Sequence, residues 1–213
     1  MMRASPLLLS ALLLGGCITL LPPPPPPPAM FVLEAGNVAA STGAPVDAVL
    51  AVAQPTGERA ILGADVIWRT GDSVAYVNQS QWTNRAADAL QQMLSETVSR
   101  QGRFRAAVRS GEAIADYEVR WEVLDFEVRE DDMTARFRAE VSIVAQGRRI
   151  VASQLVETSA PVSGRSATAA TNALARAARE GRARIGEFAA DSALTAEAAN
   201  AEADQARAAS IRR

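Results

Sequence analysis

The chain has 213 residues, 48% of them hydrophobic, and a formal net charge of −2. That length and apolar content suit one domain with tails. It contains no His and one Cys, which excludes Ser-His-Asp and Cys-His catalysis, the commonest zinc ligand and a disulfide framework. All 22 basic residues are Arg, and no basic patch or run of like charge stands out, so nucleic acid is not an expected partner.

The N-terminus reads as an export signal. Arg3 gives a short positive region, and Leu7 to Leu14 form an apolar run too short for the about 20 residues of a membrane span. Leu14-Gly15-Gly16-Cys17 then resembles a lipobox, the cleavage and acylation signal of bacterial lipoproteins. Residues 1–16 are thus expected to be removed, leaving Cys17 as the lipidated N-terminus and the anchor to the membrane. Pro22 to Pro28 should form a polyproline II spacer of roughly 20 Å at about 3.1 Å per residue. Residues 17–30 are therefore read as an anchor and linker.

Phe31-Val32-Leu33 is a strand candidate, followed by a loop over Gly36 to Pro45 and a strand over Val46 to Ala53. Pro55-Thr56-Gly57 marks a turn, Ala60 to Trp68 is apolar, Thr70-Gly71-Asp72 turns again and Ser73 to Asn78 is a short strand. Trp82 should open a helix over Thr83 to Arg100, with Thr83 as N-cap and Gly102 closing it. Phe104 to Val108 follows as a strand. Tyr117, Val119, Trp121 and Val123 alternate, and the phase then shifts to Leu124, Phe126 and Val128, which predicts a bulge near Val123-Leu124. After a turn at Glu130-Asp131-Asp132, Met133 to Ile143 alternate. Gln146-Gly147-Arg148 turns the chain into a last strand, Ile150 to Thr158. Ser166 should cap a helix over Ala167 to Ala190, with Leu174, Ala178, Gly181, Ile185 and Phe188 facing the sheet. Residues 191–213 carry little to bury and are expected to fray or be disordered. The sum is an α+β fold, a two-layer sandwich of a mostly antiparallel sheet with two helices on one face, over residues 31–190.

Candidate chemistry is thin. Glu127, Glu130, Asp131 and Asp132 are dense carboxylates without calcium-loop spacing, so no metal site is expected. Asp125 and Glu157 are conceivable acid-base partners that no sequence feature places together. Ser80, Ser153 and Ser163 lack an activating base and a nucleophile elbow. No phosphate loop exists and no cofactor is expected. Trp68, Trp82 and Trp121 are read as core anchors ahead of a ligand cage. If the protein works by holding a partner, Trp82, Arg85, Arg136 and Arg138 are the candidate contacts, because interface affinity rests on a few aromatic and Arg side chains.

The body is similar to the auxiliary lipoproteins of ABC-type intermembrane transport systems that work with MCE-domain proteins. Carrying the resemblance are the lipobox before Phe31-Val32-Leu33, then Val66-Ile67-Trp68-Arg69, then Val74-Ala75-Tyr76 leading to Gln81-Trp82-Thr83-Asn84 with Leu90 and Leu94 behind it. Ala115-Asp116-Tyr117, Phe126-Glu127 and Asn172-Ala173-Leu174 complete the order, over about Phe31 to Phe188. The usual Pro-rich lead-in to the second strand is largely missing, and the seven prolines and Ala-rich tail are additions. The resemblance implies a non-enzymatic foothold for a lipid or hydrophobic-compound transporter. Its partners would be an MCE-domain protein and an ABC permease and ATPase, and self-association into a homo-oligomer is open. Ile18 follows Cys17 where Asp would favour inner-membrane retention, so the outer membrane, periplasmic face, is the expected location. The alternatives are a structural envelope lipoprotein that tethers other outer-membrane components and, ranked lower, an exported hydrolase.

Overall fold

A computed structural model describes residues 26–211. Cys17, the signal segment and the first prolines lie outside the described residues. The elements run β1 (Ala29–Phe31), β2 (Val46–Val52), β3 (Thr56–Gly57), α1 (Arg59–Leu62), β4 (Asp65–Thr70), β5 (Ser73–Trp82), α2 (Ala86–Gln101), β6 (Phe104–Arg109), β7 (Tyr117–Arg129), β8 (Thr134–Ala145), β9 (Arg149–Pro161) and α3 (Ala167–Ile211). The fold is α+β. The nine strands form one mixed sheet. Its long ladders are antiparallel, with twelve residue pairs in β7–β8 and twelve in β8–β9, while β1–β5, β2–β6 and β7's pairings with β2, β3 and β4 are short and parallel.

β7 is the spine of the sheet. One edge runs along β8. Three strands share the other edge end to end: β2 at Tyr117 to Val119, β3 at Glu122 and Val123, and β4 at Val128 and Arg129. The phase shift in the sequence is a real bulge. Val123 pairs with Ala139 and Asp125 with Arg138, leaving Leu124 as the extra residue. The bulge keeps Tyr117, Val119, Trp121, Val123, Phe126 and Val128 all buried on the core side.

Two element boundaries differ from expectation. β5 runs on through Trp82, so Trp82 ends a strand and does not open a helix. Thr83 is not the N-cap of α2. The residue before the helix is Arg85, which makes no side-chain cap, and the Ala86 N–H donates instead to Gly63 O at 2.7 Å. A backbone carbonyl from the neighbouring turn thus satisfies a helix-end donor that a Thr hydroxyl would otherwise take. Met133 also leaves the strand: it sits in the turn at φ 50°. The other stops hold. Gly102 closes α2 in the left-handed conformation at φ 71°, and Ser166 Oγ accepts from the Ala169 N–H at 3.1 Å at the start of α3.

α3 does not stop at Ala190. It continues helical to Ile211, with Ser192, Ala193 and Ala196 still buried and every residue from Glu197 to Ile211 exposed. Asp191, the first residue beyond the expected helix, is tied to Arg103 at 2.7 Å. At 45 residues and about 1.5 Å rise each, the helix spans roughly 68 Å. α3 can lie flat on the sheet because Gly181 has no side chain: a Cβ there would sit 2.3 Å from a Phe137 ring carbon. Gly186 makes the same room for Gln101, whose Nε2 donates to Ala183 O at 3.0 Å. Between helices and sheet lies one apolar core that holds Leu50, Val66, Leu94, Phe137, Ile143, Leu174 and Ile185. Among the described residues no helix is long and apolar enough to cross a membrane.

Candidate functional site

The open face of the sheet is a lattice of charge. Arg136 and Arg138 stand two residues apart on β8, and their side chains are about one-third exposed. Arg136 pairs with Asp132 at 3.0 Å. Arg138 lies 2.9 Å from Asp125 on β7 and 3.8 Å from Glu157 on β9. Asp125 and Glu157 are thus brought together after all, with a guanidinium between them. Glu127 is fully buried, 2.7 Å from Arg69 Nε and 3.6 Å from Arg129. Glu130 binds Arg165 at 2.6 Å and accepts from the Thr70 hydroxyl. A hydrogen bond from the Thr134 hydroxyl and the adjacent Arg136 hold Asp132 below the usual carboxylate range. Asp125, Glu127, Glu130, Asp132 and Glu157 are therefore held by Arg side chains and hydroxyls, and among the described residues no group of three or more acids, Cys or His could hold a metal ion.

The remaining candidates fall elsewhere. Trp82 is 2% exposed and stacks on Phe126 at a centroid distance of 5.8 Å. It is a core anchor and offers no surface to a partner. Trp121 is buried, with its indole N–H on Ala53 O at 2.8 Å, and Trp68 packs half-buried against the core, so the three Trp do not form a cage. Arg85 is exposed at the entrance to α2, on a different element from Arg136 and Arg138. Ser80 donates to Asn78 O, and Ser153 pairs with Ser142 across β8–β9.

Sequence reasoning missed a second feature. Between α3 and the segment 37–41 lies a cleft of about 600 Å³. At one end are Arg179 and Arg182, with Val38, Ala183 and Phe188 along the walls and Glu187 and Asp191 at the other end. Arg103, 5% exposed, binds both acids at 2.9 and 2.7 Å. Arg182 is 3% exposed and, among the described residues, has no carboxylate within ion-pair distance. It donates to Met93 O, the Thr97 hydroxyl and Ala35 O, which ties α3 to α2 and to the strand exit after β1. Its Nε has no partner. Burial, with Arg179 close by, pushes its pKa down to about 10. The Arg182 position within an Ala-rich amphipathic helix was the one sequence signal for this cleft, since it breaks the small-residue face.

A family described as ABC-type transport auxiliary lipoprotein component matches residues 31–186. No curated protein matches the sequence. Among solved structures, a Xanthomonas campestris protein of the DUF330 family is similar at TM-score 0.73 and 19% identity, over 79% of this chain and 99% of that one. A second, uncharacterized protein is similar at TM-score 0.62 and 16% identity, over 76% and 99%. At these identities the likenesses establish the fold.

Proposed function

This chain belongs to the family of ABC-type transport auxiliary lipoprotein components, and from that premise we propose that it is the non-enzymatic, lipid-anchored outer-membrane component of an MCE-type transport system for lipids or other hydrophobic compounds. The family match over most of the folded body carries this reading. Three features of the chain support it. Cys17 ends a lipobox, and Ile18 follows it where Asp would favour the inner membrane. The seven prolines would hold the domain off the membrane surface. Asp125, Glu127 and Glu130 are tied to Arg side chains and Ser153 to Ser142, which suits a protein that works by binding.

On this reading the partner is an MCE-domain protein, with its permease and ATPase in the inner membrane. The contact surface includes the Arg136 and Arg138 face of β8. Capture of the tagged protein from solubilised envelopes, followed by mass spectrometry, tests the assignment. An MCE-domain protein among the captured chains is the expected result. Charge reversal at Arg136 and Arg138 should then weaken that capture tenfold or more, about 1.4 kcal/mol. Absence of any MCE-domain protein from native envelopes would overturn the transport reading and leave the structural envelope lipoprotein in its place.

A further inference from the structure

We propose that the cleft between α3 and residues 37–41 binds an anionic amphiphile, whose carboxylate or phosphate oxygens pair with Arg182 and Arg179 and whose apolar part lies along Val38, Ala183 and Phe188. Arg182 carries the argument. A guanidinium has five N–H donors. Three of those on Arg182 are engaged, by Met93 O, Thr97 Oγ1 and Ala35 O, and all three acceptors are neutral. The Nε–H and one Nη2–H are left over. A buried charge without a counterion is costly, and an oxyanion offers two acceptors that match the side-on geometry of guanidinium.

Arg179 stands one helical turn away on the same cleft wall, with a 3.3 Å hydrogen bond to Glu34 O. Its guanidinium lies against Gly36, where a Cβ would come within 2.9 Å of Nε. The acids of the cleft do not neutralise this end, because Arg103 holds both Glu187 and Asp191. The cleft volume of about 600 Å³ falls in the range of small-molecule sites. This inference concerns the isolated protein and stands whether or not the transport reading does.

The test uses calorimetric titration of the full mature chain carrying Cys17→Ser, which needs no detergent. The probes are decanoate, dihexanoyl phosphatidate, inorganic phosphate and decanol. Saturable binding of decanoate or phosphatidate, at least tenfold tighter than decanol, is expected. Which of the two binds tighter distinguishes a fatty-acid source from a lipid-headgroup source. Arg179→Ala should weaken binding at least tenfold while leaving Tm within a few degrees, and Arg179→Lys should restore part of it. Arg182→Met, the direct variant, removes a buried tie and can fail to fold, so Arg179 carries the decision. Inorganic phosphate binding as tightly as phosphatidate would overturn the amphiphile assignment. Absence of saturable binding by both amphiphiles, or an unchanged affinity in Arg179→Ala, would overturn the site.

Discussion

Arg69 Nε lies 2.7 Å from Glu127 Oε1, and Glu127 has no exposed surface at all. The pair joins β4 to β7 where only two residue pairs of backbone ladder do so. Glu127 Oε2 has no partner and Arg129 is farther, at 3.6 Å. Removing one partner of a buried pair strands the other. Arg69→Met should therefore cost about 3 kcal/mol, whereas the double variant Arg69→Met with Glu127→Leu should recover much of that loss. Urea unfolding of the single and double variants measures both. A double variant as unstable as Arg69→Met would refute the pairing argument.

Trp82 closes the core where β5 ends, stacked on Phe126. Trp82→Ala should destabilise by about 3 to 5 kcal/mol. A melting temperature within a degree of wild type would mean the indole is not packed as described.

Gly181→Ala should destabilise by about 1 to 3 kcal/mol through overpacking against Phe137. Phe137→Leu opens that contact. In the Phe137→Leu background Gly181→Ala should cost less, and thermal melts of the four proteins give the coupling. Additive losses would show that the two residues do not meet.

Glu118 supplies an acid-sensitive increment. Burial pushes its pKa up, but hydrogen bonds from Ser110 and Arg120 outweigh that and leave it lowered. A carboxyl lowered in the folded state stabilises above its unfolded pKa, and that contribution is lost as pH falls through the folded value. Stability of the wild type should thus decline below about pH 4.5, and Glu118→Gln should flatten part of that decline. Parallel acid titrations of Tm, showing identical slopes for both proteins, would remove Glu118 from the account.

Cys17→Ser should abolish incorporation of labelled palmitate and release the protein from the membrane fraction. Retained label would place the acyl chain elsewhere.

Much of the sheet was legible because alternation survives wherever one face is buried. The β7 phase shift could be read as a bulge before any coordinates, since Val123 and Phe126 cannot share a face without one. Parallel pairing was not legible. β2, β3 and β4 meet β7 far along the chain, and short parallel contacts leave no local pattern. The end of α3 was misjudged because residues 191–213 carry few large apolar side chains, while the ion pair of Asp191 with Arg103, 88 residues away, leaves no local pattern. The cleft left only the faint signal of an Arg on the small-residue face of α3. Arg182 is one Arg among 22, and its burial is what gives that position weight.

The spine has a consequence for the order of assembly. β7, β8 and β9 join through tight turns, so their ladders close small loops and form cheaply. The free edge of β7 must instead recruit three strands from about 60 to 67 residues upstream, each contributing only two or three pairs. Long-range pairings of that kind are slow to close. The C-terminal hairpins should therefore be structured in the folding transition state and the N-terminal half should dock last. Substitutions such as Val141→Ala would slow folding, while those such as Ile67→Val would mainly speed unfolding. A chevron showing the reverse assignment would sink this order. Folding in this sequence leaves the N-terminal strands undocked until the scaffold that receives them exists.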